Sequence, residues 1–169
     1  MNHFTVGILT IATGRYIEFL PALYASIDKN FLVNNQLKCY LFTDDIEAAT
    51  KMLPETSDRL DYYFFQIERK GFPGDSLYRY KHFSSLGDRL TAMNIKKPDY
   101  LFYSDADMVV VDNVGHEVLP AEVVGLTATA HPGFYRGKKI LEPKDKNTRP
   151  LKDLTKESIF NIIRHSNKF

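Results

Sequence analysis

Asp105 and Asp107 are the residues of this 169-residue chain whose type and spacing best suit chemistry. They follow the apolar and aromatic run from Tyr100 to Tyr103, and four more apolar residues, from Met108 to Val111, come after them. Ionised carboxylates are rarely buried without a partner, so both should lie where a buried strand ends and solvent or a cation can reach them. Alternate residues of a strand share a face, so the two carboxylates can point the same way. Two hard oxygen ligands suit Mg²⁺ or Mn²⁺, with a diphosphate supplying further oxygens, whereas the plainer interpretation is a strand followed by an acidic turn.

The elements that must position this pair follow from the spacing of apolar residues. Besides the run before Asp105, three strands are predicted, at Phe4 to Ala12, Lys38 to Thr43 and Tyr62 to Ile67. Three helices are predicted, from near Phe19 to Phe31, from Ile46 to Met52 and from Ser76 to Met93. Strands that alternate with helices predict an α/β fold, in which ligands bind at the carboxyl edge of the sheet.

Four polar or glycine positions lie close to the predicted strand and helix ends. Asp44 and Asp45 follow the second strand, where a helix cap is favoured over a contact to a ribose. Arg79 lies near the start of the third helix, either as a surface charge or ion pair, or as a fork on a phosphate or on Asp105. Gly14 stands alone after the first strand, so the glycine fingerprint of a dinucleotide fold or a P-loop is missing.

The third helix is predicted to bury one face. Its inner-face residues are Leu77, Tyr80, Phe83, Leu86, Leu90 and Met93.

Composition excludes several classes of protein. Hydrophobic residues make up 44% and charged residues 25% of the chain, as in an ordinary globular domain. The net charge of +1 gives no electrostatic case for a nucleic-acid or membrane-surface partner. The single cysteine, Cys39, cannot form an internal disulfide and lies in an apolar run, which predicts a buried thiol. The amino terminus has no basic leader and no apolar run long enough to span a bilayer, so we expect a cytoplasmic protein without a membrane anchor.

The last third of the chain carries weaker signals. A further strand is predicted at Val123 to Ala130, and a loop with His131 follows it. His131 is either a hydrogen-bonding ligand for a sugar hydroxyl or an ordinary loop histidine. A basic loop without periodicity precedes a short amphipathic helix at Thr155 to His165. We therefore divide the chain into a main domain, residues 1–137, and a divergent segment, residues 138–169.

Seven segments, taken together and in this order, resemble glycosyltransferase family 6, the family of the histo-blood-group A/B transferases and the α-1,3-galactosyltransferases. The segments are Ala12 to Glu18, Phe42 to Asp45, Asp75 to Lys81, Asp99 to Phe102, Asp105 to Met108, Val114 to Leu119 and His131 to Tyr135. The resemblance implies a GT-A-type α/β fold, a mixed twisted sheet flanked by helices that binds a UDP-sugar. It also implies a retaining transfer of galactose or N-acetylgalactosamine to a glycan acceptor hydroxyl, with Mn²⁺ (or Mg²⁺) as cofactor.

The resemblance also assigns roles to individual residues. Ile11, Ala12 and Thr13 would hold uracil and ribose, and Tyr16 would pack against the uracil ring. Arg79 would reach the diphosphate, and His131 would lie in the acceptor site. Asp105 and Ala106 would contact the nucleotide. Asp105 would also bind the metal, together with Asp107.

Family members continue for about a hundred residues beyond the last matching segment, and that part has no counterpart here. It carries the glutamate near the reacting carbon, so the catalytic residue of this chain is unknown; Glu142 and Glu157 lie in no matching context. The first hypothesis is therefore a C-terminally truncated hexosyltransferase. The second is a UDP-sugar-binding remnant without transferase activity, and the third is an interaction domain that binds no UDP.

Overall fold

A computed structural model of the protein describes residues 4–55 and 57–120. In chain order, the strands and α-helices are β1 (Thr5–Ala12), α1 (Leu20–Asn30), β2 (Gln36–Thr43), α2 (Ile46–Met52), β3 (Leu60–Gln66), α3 (Gly74–Ser84), α4 (Leu86–Ala92) and β4 (Tyr100–Tyr103). Short 3₁₀-helices cover Gly14–Phe19 and His116–Val118. The predicted α/β class is confirmed, and β1, α1, β2, α2 and β3 lie within a few residues of their predicted bounds.

The four strands form one sheet in the order β3-β2-β1-β4. All three pairings are parallel, and Ile8 of β1, for example, lies between Cys39 of β2 and Phe102 of β4. Parallel strands end at the same edge of a sheet, so the residues that follow the four strands are brought to one carboxyl edge. They include Gly14, Asp44, Asp105 and Asp107, which the sequence analysis considered for a site.

Both faces of the sheet are covered, which explains why its strands are almost continuously apolar. Ile8 packs on one face with α1 residues such as Leu23, whereas its neighbour Leu9 packs on the other face with Leu86 and Leu90 of α4. Cys39 is fully buried in the first of these cores, and burial raises the pKa of its thiol. The prediction of a buried thiol is therefore confirmed.

Helix α1 is held at its carboxyl end by Arg59, which lies just before β3. Arg59 Nη2 donates to the carbonyls of Ile27 at 2.7 Å and Asp28 at 2.6 Å, and Nη1 donates to the carbonyl of Asn35 at 3.2 Å. Arg59 Nε also pairs with the Asp28 carboxylate at 3.0 Å. The guanidinium thus supplies a donor to the Asp28 carbonyl at the helix end, and it adds a second donor to the Ile27 carbonyl, which also accepts from the Phe31 N–H at 2.9 Å.

Burial and pairing act in opposite directions on this ion pair. Burial lowers the pKa of Arg59, and the charge of Asp28 opposes that shift. Burial also works against ionisation of Asp28, but the hydroxyl and N–H of Ser57 and the Arg59 guanidinium outweigh it, and the pKa of Asp28 is lowered. Both groups therefore stay charged at neutral pH.

The prediction of one helix from Ser76 to Met93 is wrong. The structure has two helices, α3 and α4, with a break at Ser85. Leu77 is 70%, Tyr80 73% and Met93 50% exposed, so these three do not belong to an inner face. Steps of three residues drift around a helix, and nine residues place Leu77 about 180° away from Leu86. The core therefore takes Phe83, Leu86 and Leu90 from the middle of the set and leaves Leu77, Tyr80 and Met93 exposed.

Several predictions fall on residues that the structure does not describe. They are the strand from Val123 to Ala130, the helix from Thr155 to His165, the position of His131 and the division of the chain at residue 137. Within the described residues, no helix is both long and apolar enough to cross a membrane.

Candidate functional site

Asp105 and Asp107 lie in the turn that follows β4. The strand ends at Tyr103, and the N–H of Ser104 donates to the Leu9 carbonyl at 3.0 Å. The prediction that the acids come where a strand ends is confirmed, but the shared strand face is wrong, because neither residue is part of a strand. Ala106 between them is buried in the core, while both aspartates are exposed. The inward alanine thus anchors a turn that presents two carboxylates to solvent.

Asp105 is held by Arg79 and Tyr103. Arg79 Nη1 lies 3.5 Å from Asp105 Oδ1, and the Tyr103 hydroxyl donates to the same oxygen. The guanidinium carbon of Arg79 also lies 5.1 Å from the centre of the Tyr103 ring. Burial and the neighbouring carboxylate raise the pKa of Tyr103, so its hydroxyl keeps the proton that it donates. The structure shows Arg79 in an ion pair with Asp105 through one nitrogen, which fits both interpretations of this residue, and a contact to a phosphate stays a prediction.

The end of β1 carries the residues predicted to hold the nucleoside. Ala12 is fully buried, Ile11 is half-buried, and Thr13 is buried with its hydroxyl donating to Asp75 Oδ2 at 2.9 Å. Tyr16 is 43% exposed, as a ring that stacks on a ligand must be. The structure therefore places these four residues at the same sheet edge as the acidic pair.

Two aspartates that the sequence analysis did not place in the site fix its backbone. Asp75 Oδ1 accepts from the Lys70 N–H at 2.7 Å, so this carboxylate joins the segment after β3 to Thr13. Asp44 Oδ1 accepts from the Gly14 N–H at 2.9 Å. Only the next residue, Asp45, caps α2, through the Ala48 N–H at 2.9 Å. The predicted cap is thus confirmed for Asp45, whereas Asp44 serves the site.

Sequence reasoning also missed Tyr103 and Arg69. Tyr103 was assigned only to a buried strand, although a tyrosine two residues before an aspartate is a possible donor to it. Arg69 lies against Gly14, a contact that depends on the strand order and that no local pattern indicates. Among the predicted site residues, His131 alone lies outside the described residues.

A cavity in the described part of the chain lies elsewhere. It has a volume of about 380 Å³ and is lined by Phe4, Asn34, Gln36 and Arg59, among others. These residues flank the amino ends of β1 and β2, at the edge opposite the acidic pair. The carboxyl edge is the better candidate site, because Asp105, Asp107 and Tyr16 lie there and none of these three lines the cavity.

The donor set at the carboxyl edge fits a hard cation. No cluster of three or more histidine, cysteine or acidic side chains occurs among residues 4–55 and 57–120. Of these residues, the two exposed carboxylates of Asp105 and Asp107 are the ones that would hold such a cation. Mg²⁺ is commonly bound in this way, by one or two carboxylates together with substrate phosphates and water.

A four-stranded parallel sheet flanked by helices, together with the family match that follows, defines the class of this protein, a glycosyltransferase with a GT-A-like fold. The sequence profile of "Glycosyltransferase family 6" matches residues 1–147. The chain belongs to this family, as the seven segments predicted.

Curated relatives agree with this assignment. The chain is similar to "Histo-blood group ABO system transferase 2" of Rattus norvegicus, with 27% identity over 82% of this chain and 39% of the relative. It is 25% identical to "Globoside alpha-1,3-N-acetylgalactosaminyltransferase 1" of Gallus gallus over 78% of this chain and 36% of the relative. It is also 25% identical to "O-antigen biosynthesis glycosyltransferase WbnI" of Escherichia coli over 82% of this chain and 53% of the relative. The match thus spans between about a third and a half of these relatives.

Proposed function

We propose that this protein is a hexosyltransferase that binds UDP-galactose or UDP-N-acetylgalactosamine and transfers the sugar, with retention, to a hydroxyl of a glycan acceptor. The proposal includes a divalent cation, Mn²⁺ or Mg²⁺, at Asp105 and Asp107. The observation that carries it is the pair formed by Arg79 and Asp105 at the carboxyl edge, one strand away from Thr13 and Tyr16. Ligands of open α/β sheets bind in this place.

The exposed and buried groups at this edge suit the parts of a nucleoside diphosphate. The ring of Tyr16 offers an apolar face to the uracil, beside the backbone of residues 11–13. Arg79 offers a planar fork of donors, which matches phosphate oxygens in a bidentate way. The exposed carboxylates of Asp105 and Asp107 suit the cation and, for Asp105, a ribose hydroxyl as well.

The bond between the sugar and the phosphate breaks with negative charge developing on the departing UDP. Arg79 stabilises that charge where it forms, because its guanidinium is fixed between Asp105 and the Tyr103 ring before the reaction begins. A cation held by the two aspartates would, when bound, neutralise further charge on the diphosphate. The Tyr103 hydroxyl donates to Asp105 and so keeps its carboxylate in position for Arg79 and for the cation.

A second candidate is a UDP-sugar-binding protein without transferase activity. The match to the ABO transferase 2 of Rattus norvegicus covers 39% of that relative, and the roles proposed above for the described residues concern the donor only. This candidate predicts binding of UDP without a transfer product.

Binding of UDP, measured by calorimetry with Mn²⁺ or with a chelator, tests the proposed donor site. We expect Mn²⁺ to raise the affinity for UDP, and Asp107→Asn to abolish that gain. Asp58→Asn is the matched control, because Asp58 is exposed and lies at the amino edge, before β3. Equal affinity for UDP with and without chelator would contradict the metal assignment. Mass spectrometry of incubations with either UDP-sugar and a glycan acceptor then separates the two candidates, since only the transferase yields a glycosylated product.

A further inference from the structure

Arg69 lies against the end of β1. Gly14 has a φ of +53°, and a Cβ built on it would lie 2.6 Å from the guanidinium carbon of Arg69 and 2.7 Å from its Nη1. The guanidinium therefore occupies the space that any other side chain at position 14 would need. The left-handed backbone favours glycine here, and the exposed Arg69 side chain would have to move away from any other residue at this position.

The backbone on both sides of Arg69 is fixed to the same edge. The Ile67 N–H donates to the Thr43 carbonyl at 2.9 Å, which continues the pairing of β3 with β2. The Lys70 N–H donates to Asp75 Oδ1 at 2.7 Å. The position of the Arg69 backbone is thus a consequence of the fold.

The guanidinium of Arg69 makes no hydrogen bond or ion pair with any residue that the structure describes, and the residue is exposed. By contrast, the Arg59 guanidinium donates to the carbonyls of helix α1, and the Arg79 guanidinium pairs with Asp105. A guanidinium carries five N–H donors and no acceptor. Arg69 therefore presents unused donors beside the residues that the proposed function gives to the nucleoside.

The strand order indicates which part of a nucleotide these donors would meet. Arg79 and the acidic pair mark the β4 side of β1, whereas Arg69 reaches Gly14 from the β3 side. Strands lie about 4.8 Å apart, so β3 and β4 are separated by roughly 14 Å at this edge. A nucleoside diphosphate with its phosphates at β4 would direct its base toward β2 and β3.

We propose that Arg69 is a specificity-determining residue, whose guanidinium donates to the O4 carbonyl of uracil and so favours uridine over cytidine diphosphate. The inference rests on the proposed function, because it assumes a nucleoside diphosphate at this edge. Uracil has an acceptor at position 4, where cytosine has an amino group that donates. Two donors facing each other leave both without an acceptor, which is how a polar contact excludes the wrong ligand.

The test is the affinity for UDP and for CDP, measured by calorimetry in Mn²⁺ for the wild type and for Arg69→Met. A hydrogen bond to a charged group corresponds to roughly 10- to 100-fold in affinity. We expect UDP binding to weaken by about that factor in Arg69→Met and CDP binding to stay unchanged, so that the preference for UDP is lost. Lys29→Met, which removes an exposed positive charge near the end of α1, should change neither affinity.

Three results would overturn this assignment. An equal loss for UDP and CDP would place Arg69 on the phosphates, and no loss for either would remove it from the site. Failure of the wild type to bind UDP would overturn the proposed function together with this inference. The first two results require a wild type that binds UDP, so they overturn only the assignment of Arg69. Thermal unfolding without ligand checks that the variant is folded. If Arg69→Met does not fold, Arg69→Lys carries the test, with a smaller loss of the same preference expected and an unchanged preference contradicting the proposal.

Discussion

The Arg59 guanidinium provides the sharpest test of how this fold is held together. The informative variant is Arg59→Met, which removes the charge and the donors but keeps most of the aliphatic volume. In the wild type this side chain is 15% exposed and its partner Asp28 is 19% exposed, so water replaces the lost contacts poorly. The variant leaves the carbonyls of Ile27 and Asn35 without their Arg59 donor.

The magnitude follows from these contacts. Breaking one partner of a buried ion pair costs about 3–5 kcal/mol. Asp28 keeps two hydrogen bonds from Ser57, at 2.8 Å from the N–H and 2.6 Å from the hydroxyl, so it is not left without partners. We therefore expect the lower end, a loss of about 3 kcal/mol in the free energy of unfolding. For a chain of this length that loss corresponds to a melting temperature lower by roughly 6–12 °C.

Thermal and urea unfolding, followed by circular dichroism, would measure the effect. The control is Lys51→Met, because Lys51 forms an exposed ion pair with Glu47 on α2, with side-chain exposures of 72% and 81%. That change should alter the free energy of unfolding by less than about 1 kcal/mol. A loss below about 1 kcal/mol for Arg59→Met would refute the reasoning, since the guanidinium would then not be stabilising the end of α1.

Three further outcomes are expected. Burial raises the pKa of Asp28, but its partners lower it below the ordinary value. Its stabilising contribution is therefore present above about pH 4 and is lost as the pH falls through the lowered pKa. Asp28→Asn should be less stable at neutral pH and show a flatter acid-unfolding profile; an unchanged profile contradicts the ion pair. Leu90→Ala should cost about 2–5 kcal/mol in unfolding experiments, whereas Leu77→Ala should cost less than about 1 kcal/mol, and equal costs would restore the single inner face. Gly14→Ala should destabilise the protein by about 1–2 kcal/mol, because of its positive φ, and a neutral result in thermal unfolding would contradict that reason.

The sequence predicted the elements of the first half well, because their patterns are local. The continuous apolar run of β1 and the cap at Asp45 depend on near neighbours in the chain, and both are confirmed. The inner face from Leu77 to Met93 failed because spacings of three were summed over a length at which they drift around the helix. The residues of that set that pack on the sheet are Phe83, Leu86 and Leu90, which are separated by one step of three and one step of four.

The candidate site was predictable only in part. The acidic pair and its place after a strand follow from the cost of burying charge, and the nucleoside residues were assigned through the family resemblance. The contacts that fix the site were not predictable from local patterns. The hydrogen bond from Thr13 to Asp75 spans 62 residues, and the approach of Arg69 to Gly14 requires β2 to lie between β3 and β1. Such contacts depend on strand order, which the periodicity of one sequence leaves open.

The long connection between β1 and β4 has a consequence for the order of folding. Thr5 and Asp99, which are 94 residues apart, are joined by a hydrogen bond from the Thr5 N–H to the Asp99 carboxylate at 2.8 Å. The entropy of closing so long a loop must be overcome before β4 can add to the sheet, whereas β1, β2 and β3 are joined by shorter segments. We expect pulsed hydrogen exchange during refolding to protect the β1 and β2 amides before those of Tyr100–Tyr103. On this order a refolding chain would acquire the uridine end of its proposed site first and the diphosphate end last.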